Sequence, residues 1–139
     1  MIEMIRRQQA AQAAVDRFKG QPWELGKNDC VRLAAFVLRK MGHRPQLGKA
    51  GSYKTGAGAM RALKRAGYDT LADALDRLGL ERVAPAAALV ADIVMIPGEG
   101  PIDGALTIAV GNGRVLGFHE DAGAAEILQP VAFITAWRV

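Results

Sequence analysis

Apolar residues in the first half of the chain recur at helical spacing. From Ile2 to Phe18 the residues Ile5, Ala11, Ala14, Val15 and Phe18 form one stripe, which predicts a helix ended by Gly20. A second stripe, Cys30, Leu33, Ala34, Val37, Leu38 and Met41, follows the i, i+3, i+4, i+7 period of a helix with one buried face, stopped at Gly42. Between the two, Gln21 to Asp29 contains Pro22 and Gly26 and reads as a turn-rich loop that delivers Cys30 to a helix start. His43 to Thr55, rich in Gly, Lys, Pro and Ser, predicts a long loop. Two short helices follow: Thr55 to Ala66 with Met60 and Leu63 inward, and Thr70 to Leu78 with Leu71, Leu75 and Leu78 inward. Thr70 and Asp73 have the spacing of a capping box with a shorter acid.

From Leu80 onward the pattern changes to short extended runs. Val83 to Ala88, interrupted by Pro85, predicts an irregular connection. Ala91 to Ile96 predicts a strand stopped by the Pro97 to Pro101 segment, and Asp92 is expected there as a structural strand-start residue. Gly104 to Val110 and Arg114 to His119 flank Gly111-Asn112-Gly113, a hairpin signal. Glu126 to Leu128 and Ala132 to Val139 supply the last strands. Helices first and an antiparallel sheet second is an α+β arrangement.

The hairpin has two possible registers. A two-residue turn pairs Gly111 with Arg114; a three-residue loop with a bulge pairs Val110 with Arg114. The second gathers Leu106, Ile108, Val110, Leu116 and Phe118 on one face, and Ala105, Thr107, Ala109, Val115, Gly117 and His119 on the other. That separation favours the three-residue register. The small-residue face is then one that a helix can approach closely, with His119 on it.

Composition narrows the function classes. The 139 residues suffice for one domain with its own core, and half of them are hydrophobic. A single cysteine excludes an internal disulfide framework, and with two histidines a metal centre is not expected. No cofactor is expected either. The formal charge is +4, but the basic residues are scattered, with Asp or Glu between many of them, and lack aromatic interleaving, so no specific nucleic-acid partner is predicted. No stretch reads as a transmembrane segment, and the first residues lack the leucine-rich run of a signal peptide.

Cys30 is the candidate for chemistry. Asn28 or Asp29 can cap its helix, and a thiol in the first turn lies near free amides and the positive end of the helix dipole, conditions that favour thiolate. The alternative is a small buried hydrophobe.

Pro22-Trp23-x-x-Gly26, then Asp29-Cys30 at a helix start, Asp92 opening a strand and a hairpin around Gly111-Asn112-Gly113 together resemble the NlpC-type cell-wall peptidases. More closely, with the ending Ala136-Trp137-Arg138-Val139, the chain resembles small phage and prophage proteins related to those peptidases. The resemblance spans nearly the whole chain. It implies a papain-like NlpC-type fold, a single domain over 1–139 with the cysteine helix packed on a C-terminal antiparallel sheet. It also implies a role for Cys30 as nucleophile, a cleft bordered by Trp23 and Asp29, and a structural role for Gly26. The position of the family's histidine base falls on Ala105 and that of the orienting residue on Gly117. The resemblance therefore implies a catalytically degenerate, structural protein of a phage tail tip or baseplate, carried in the virion and made without a signal peptide. Its partners would be tail proteins and peptidoglycan. The alternative is a peptidase or amidase that cuts peptidoglycan stem peptides with Cys30 and His119. A third is an immunity or toxin-associated domain.

Overall fold

A computed structural model of the protein describes residues 2–24, 27–45, 56–98, 104–118 and 123–139. Among the described residues four α-helices precede and flank a six-stranded antiparallel sheet. The helices are α1 (Ile2–Phe18), α2 (Cys30–Lys40), α3 (Gly56–Arg65) and α4 (Leu71–Arg77). The strands are β1 (Glu81–Val83), β2 (Ile93–Ile96), β3 (Ala105–Gly111), β4 (Arg114–Phe118), β5 (Ala125–Leu128) and β6 (Thr135–Arg138). They lie in the order β1-β6-β2-β3-β4-β5. Of the loop expected over 43–55, residues 46–55 lie outside the described residues, as do Gly26 and His119.

The α2 stripe and the Ala11, Ala14 and Phe18 part of the expected α1 stripe become buried, whereas Ile5, expected inward, is 49% exposed because the buried face of the first turns is centred on Arg7 and Ala10. Leu33, Val37 and Leu38 of α2 pack with Ala10, Ala11, Ala14 and Phe18 of α1 onto Ile93, Met95, Leu106, Ile108, Leu116 and Trp137. Each large aliphatic side chain removed from water there contributes about 1.5–3 kcal/mol before entropy is counted. Phe18 sets its edge against Phe36 and Phe118, with centroids 5.5 and 6.3 Å away, joining α1, α2 and β4. Alternate strand residues form a second cluster, Val94, Ile96, Ala109, Val115 and Ala136.

The hairpin combines both registers. Gly111 pairs with Arg114 around a two-residue turn whose central residues, Asn112 and Gly113, have φ of 56° and 72°. The register then shifts at Val110, so that Ala109 faces Val115 and Ile108 faces Leu116. The bulge delivers the face separation that the three-residue loop predicts while keeping the tighter turn.

β6 starts at Thr135 rather than Ala132. Its partner β2 runs into Pro97, so after Ile134 N–H donates to Met95 O at 2.8 Å the segment before it has no ladder to join.

Asp92 ties the two ends of the chain to the sheet. It is fully buried and accepts four hydrogen bonds, from Arg7 Nη1 (2.8 Å), Arg138 Nε (2.8 Å), Leu89 N (2.8 Å) and Val139 N (2.9 Å). Arg7, also buried, further donates to Glu3, to Val90 O and to Val139 O. A second tie joins α4 to the other edge of the sheet. Asp76 accepts from Trp137 Nε1 at 2.9 Å and from both Nε and Nη2 of Arg82. These contacts hold the Asp76 carboxyl down at about 2, the Arg82 hydrogen bonds contributing most and Trp137 next.

Candidate functional site around Cys30

The segment before α2 is pinned to the edge of the sheet. Gly20 N–H donates to Ala125 O at 2.8 Å, Ala125 N–H to Gln21 O at 3.0 Å, and Trp23 N–H to Gly123 O at 3.1 Å. The chain thereby covers part of the outer edge of β5, which would otherwise present open donors and acceptors. It then folds back on itself, with Glu24 and Asn28 exchanging backbone hydrogen bonds of 2.9 and 2.8 Å. Asn28 is buried and its Oδ1 accepts from Arg17 Nη2 at 3.3 Å.

Asp29 is the cap of α2. Its backbone is extended and Oδ1 accepts from Arg32 N–H at 2.8 Å, satisfying one first-turn amide. Being buried itself, this carboxylate is held at the threshold of the helix rather than offered to a cleft. Trp23 is 55% exposed, so its indole stands off the core.

Cys30 is the first residue of α2 and is half-buried against the main core. Its thiol is pushed up to about 11. Desolvation is the largest cause, and the neighbouring Asp29 charge adds to it. The backbone amides of Leu106, Cys30 and Val31 work in the other direction and are outweighed. The sequence expectation that a helix start favours thiolate is therefore corrected. The amides are present as expected, but the enclosure and the acidic cap that accompany them raise the ionisation cost by more than they lower it.

Leu106 is the strand residue against the sulfur, which fixes the face of the sheet that meets α2. Ala105 and Thr107 alternate with Leu106 and point to the other side, where Ala105 packs on the second cluster. The helix thus approaches the bulky face, not the small-residue face that the sequence singles out. The physical reason lies in α2 itself. Its Leu and Val stripe fills space against Leu106, Ile108 and Leu116, whereas the opposite face needs small residues so that its own strands nest.

Gly117 shows that nesting. A Cβ at this position would lie 2.6 Å from Thr107 Cγ2. Thr107 cannot turn away freely, since its hydroxyl donates to Val94 O at 2.8 Å inside the sheet. No side chain fits at Gly117 without displacing Thr107. Of the residues singled out in the sequence, the structure brings Cys30 and Asp29 together at the start of α2. It puts Ala105 and Gly117 on the opposite face and Asp92 in a separate buried network. His119 and Gly26 lie outside the described residues. The roles of Leu106 and Thr107 escaped the sequence reading, although the alternation of the hairpin carried the signal. Among the described residues no group of three His, Cys, Asp or Glu side chains is placed to hold a metal ion, and no helix is long and apolar enough to cross a membrane.

A family model described as a domain of unknown function, DUF6950, matches residues 4–139, and the chain belongs to that family. No curated protein matches it. A similar solved structure is RipD from Mycobacterium tuberculosis, described as a non-catalytic NlpC/p60 domain protein adapted to a peptidoglycan-binding function. It has a TM-score of 0.49 and 12% sequence identity, over 96% of this chain and 97% of that one.

Proposed function

We propose that this protein is a non-catalytic NlpC-like module, structural rather than enzymatic, that serves in the tail tip or baseplate of a phage or prophage, where it meets tail proteins and peptidoglycan. The observation that carries the non-catalytic part is the surroundings of Cys30. The thiol is half-buried, lies against the backbone of Leu106 and, among the described residues, has a buried carboxylate rather than an imidazole beside it. A cysteine nucleophile requires a base in hydrogen-bond reach or a depressed pKa; the described residues place no base there, and burial with the Asp29 charge works against the second. The residues that correspond to the base and its orienting partner are a methyl group and a glycine with no space for a side chain. The phage assignment is supported by the order of the Pro22-Trp23, Asp29-Cys30, Asp92 and Gly111-Asn112-Gly113 motifs and the Ala136-Trp137-Arg138-Val139 ending.

The test is digestion of purified muropeptides by the wild-type chain, Cys30→Ala and Ala105→His. The expected result is no cleavage by any of the three, including the variant that restores a histidine, because residue 105 points away from the sulfur. Cleavage by the wild type that Cys30→Ala abolishes would overturn the proposal in favour of a peptidase using Cys30 and His119. Virion assembly unaffected by Cys30→Ala, but lost when the whole chain is deleted, is the result expected of a structural component.

A further inference from the structure

We infer that the end of the molecule where α1 begins and α2 finishes is a docking surface for anionic phospholipid bilayers. The two helices run antiparallel. At one end Arg17 Nη2 reaches Asn28 Oδ1; at the other the Arg6 guanidinium lies so close over Gly42 that a Cβ there would sit 2.7 Å from Nη2. The first turns of α1 therefore share an end with Arg39, Lys40 and Arg44. All four cations are exposed. The carboxylate among them, Glu3, is engaged by Arg7 Nε at 3.0 Å, and residues 30–45 contain no Asp or Glu.

Aliphatic side chains stand among these charges. Ile2, Ile5 and Met4 are 84%, 49% and 41% exposed. At 100° per residue Ile2, Ile5 and Arg6 occupy one outward arc, away from the buried stripe of Arg7, Ala10, Ala11 and Ala14. A helix end with cations and aliphatics on one arc suits the headgroup boundary, where cations meet phosphates and aliphatic groups enter the acyl edge. Recognition of nucleic acid would call for exposed aromatic groups on which bases stack beside the cations, and Phe36, the aromatic beside Lys40, is half-buried, with Lys40 Nζ over its ring at 5.4 Å and Phe18 against it at 5.5 Å. The inference goes beyond the role proposed above and does not depend on the state of Cys30.

Co-sedimentation of the full chain with vesicles tests it. Phosphatidylglycerol and phosphatidylcholine in equal parts are compared with phosphatidylcholine alone, at low and high salt. The chain is expected to bind the anionic vesicles and to lose that binding as salt rises. With each basic residue contributing about five-fold, Arg39→Gln with Arg44→Gln lowers the partition coefficient roughly twenty-fold. Ile2→Ser with Ile5→Ser lowers it several-fold while leaving the salt slope unchanged. All four positions are exposed, so circular dichroism of both double variants should match the wild type. Equal binding to the two vesicle types would overturn the inference, as would anionic binding that neither double variant reduces. So would tight binding to duplex DNA, unchanged by the isoleucine substitutions, in a chain that ignores the vesicles.

Discussion

Removal of the Asp92 carboxylate should destabilise this protein more than any change at its surface. Asp92→Ala leaves Arg7 Nη1, Arg138 Nε and the backbone amides of Leu89 and Val139 without their acceptor. Arg138 is a third exposed and can turn to water. Arg7, with 3% of its side chain exposed, cannot do so unless α1 lifts from the sheet. Its bonds to Glu3, Val90 O and Val139 O persist and keep the guanidinium in place, so its charge stays buried with less compensation. Breaking a buried ion pair by removing one partner costs about 3–5 kcal/mol. The two amides share that loss rather than doubling it, since groups in one network are not additive. The expected cost is thus about 3–5 kcal/mol, or a melting temperature roughly 10–20 °C lower for a domain of this size. Urea denaturation of wild type, Asp92→Ala and Arg138→Gln gives the comparison, with Arg138→Gln expected to lose on the order of 1 kcal/mol because its partner keeps three other donors. A loss of less than about 1 kcal/mol for Asp92→Ala would refute the reasoning, because it would mean that the network is open to water and does not tie α1 and the last residues of the chain to the start of β2.

Two further outcomes follow from the packing and from the second acidic tie. Gly117→Ala places a methyl group 2.6 Å from Thr107 Cγ2 inside the sheet, so an overpacking loss of about 1–3 kcal/mol is expected by chemical denaturation; a neutral substitution would show that Thr107 has room to move. Asp76 has its pKa lowered from 3.8 to about 2. Its stabilising contribution is therefore fully present above pH 4 and is lost as pH falls through 2. The difference in melting temperature between wild type and Asp76→Asn should shrink over that interval, with an amplitude held down by solvent screening because the carboxylate is 41% exposed. A difference independent of pH would show that the contacts to Arg82 and Trp137 do not depend on the charge.

The helices were legible because their determinants are local. The α2 stripe, the Asp29 cap and the Thr70 cap each depend on residues within a few positions of one another, and the structure realises them; the α1 stripe is realised at Ala11, Ala14 and Phe18 but not at Ile5, where the buried Arg7 turns the inward face. The hairpin separation into a bulky and a small face was legible for the same reason. What the sequence could not say is which face α2 would choose, since that depends on a stripe 70 or more residues away. The same distance hid the buried network, because Arg7 and Asp92 are ordinary charged residues until the fold brings them to 2.8 Å. Cys30 illustrates both sides. Its helix start was local and readable, whereas the desolvation that raises its pKa comes from the core packed around it after folding.

The pH dependence of Cys30 alkylation by iodoacetamide tests the central claim most directly. With one cysteine in the chain the signal has a single source. The account predicts negligible reaction at pH 7 and a rate that climbs towards an inflection near 11, well above that of an ordinary thiol. Rapid alkylation at neutral pH with an inflection below about 8 would contradict it, because a thiolate so easily formed is the mark of an activated nucleophile.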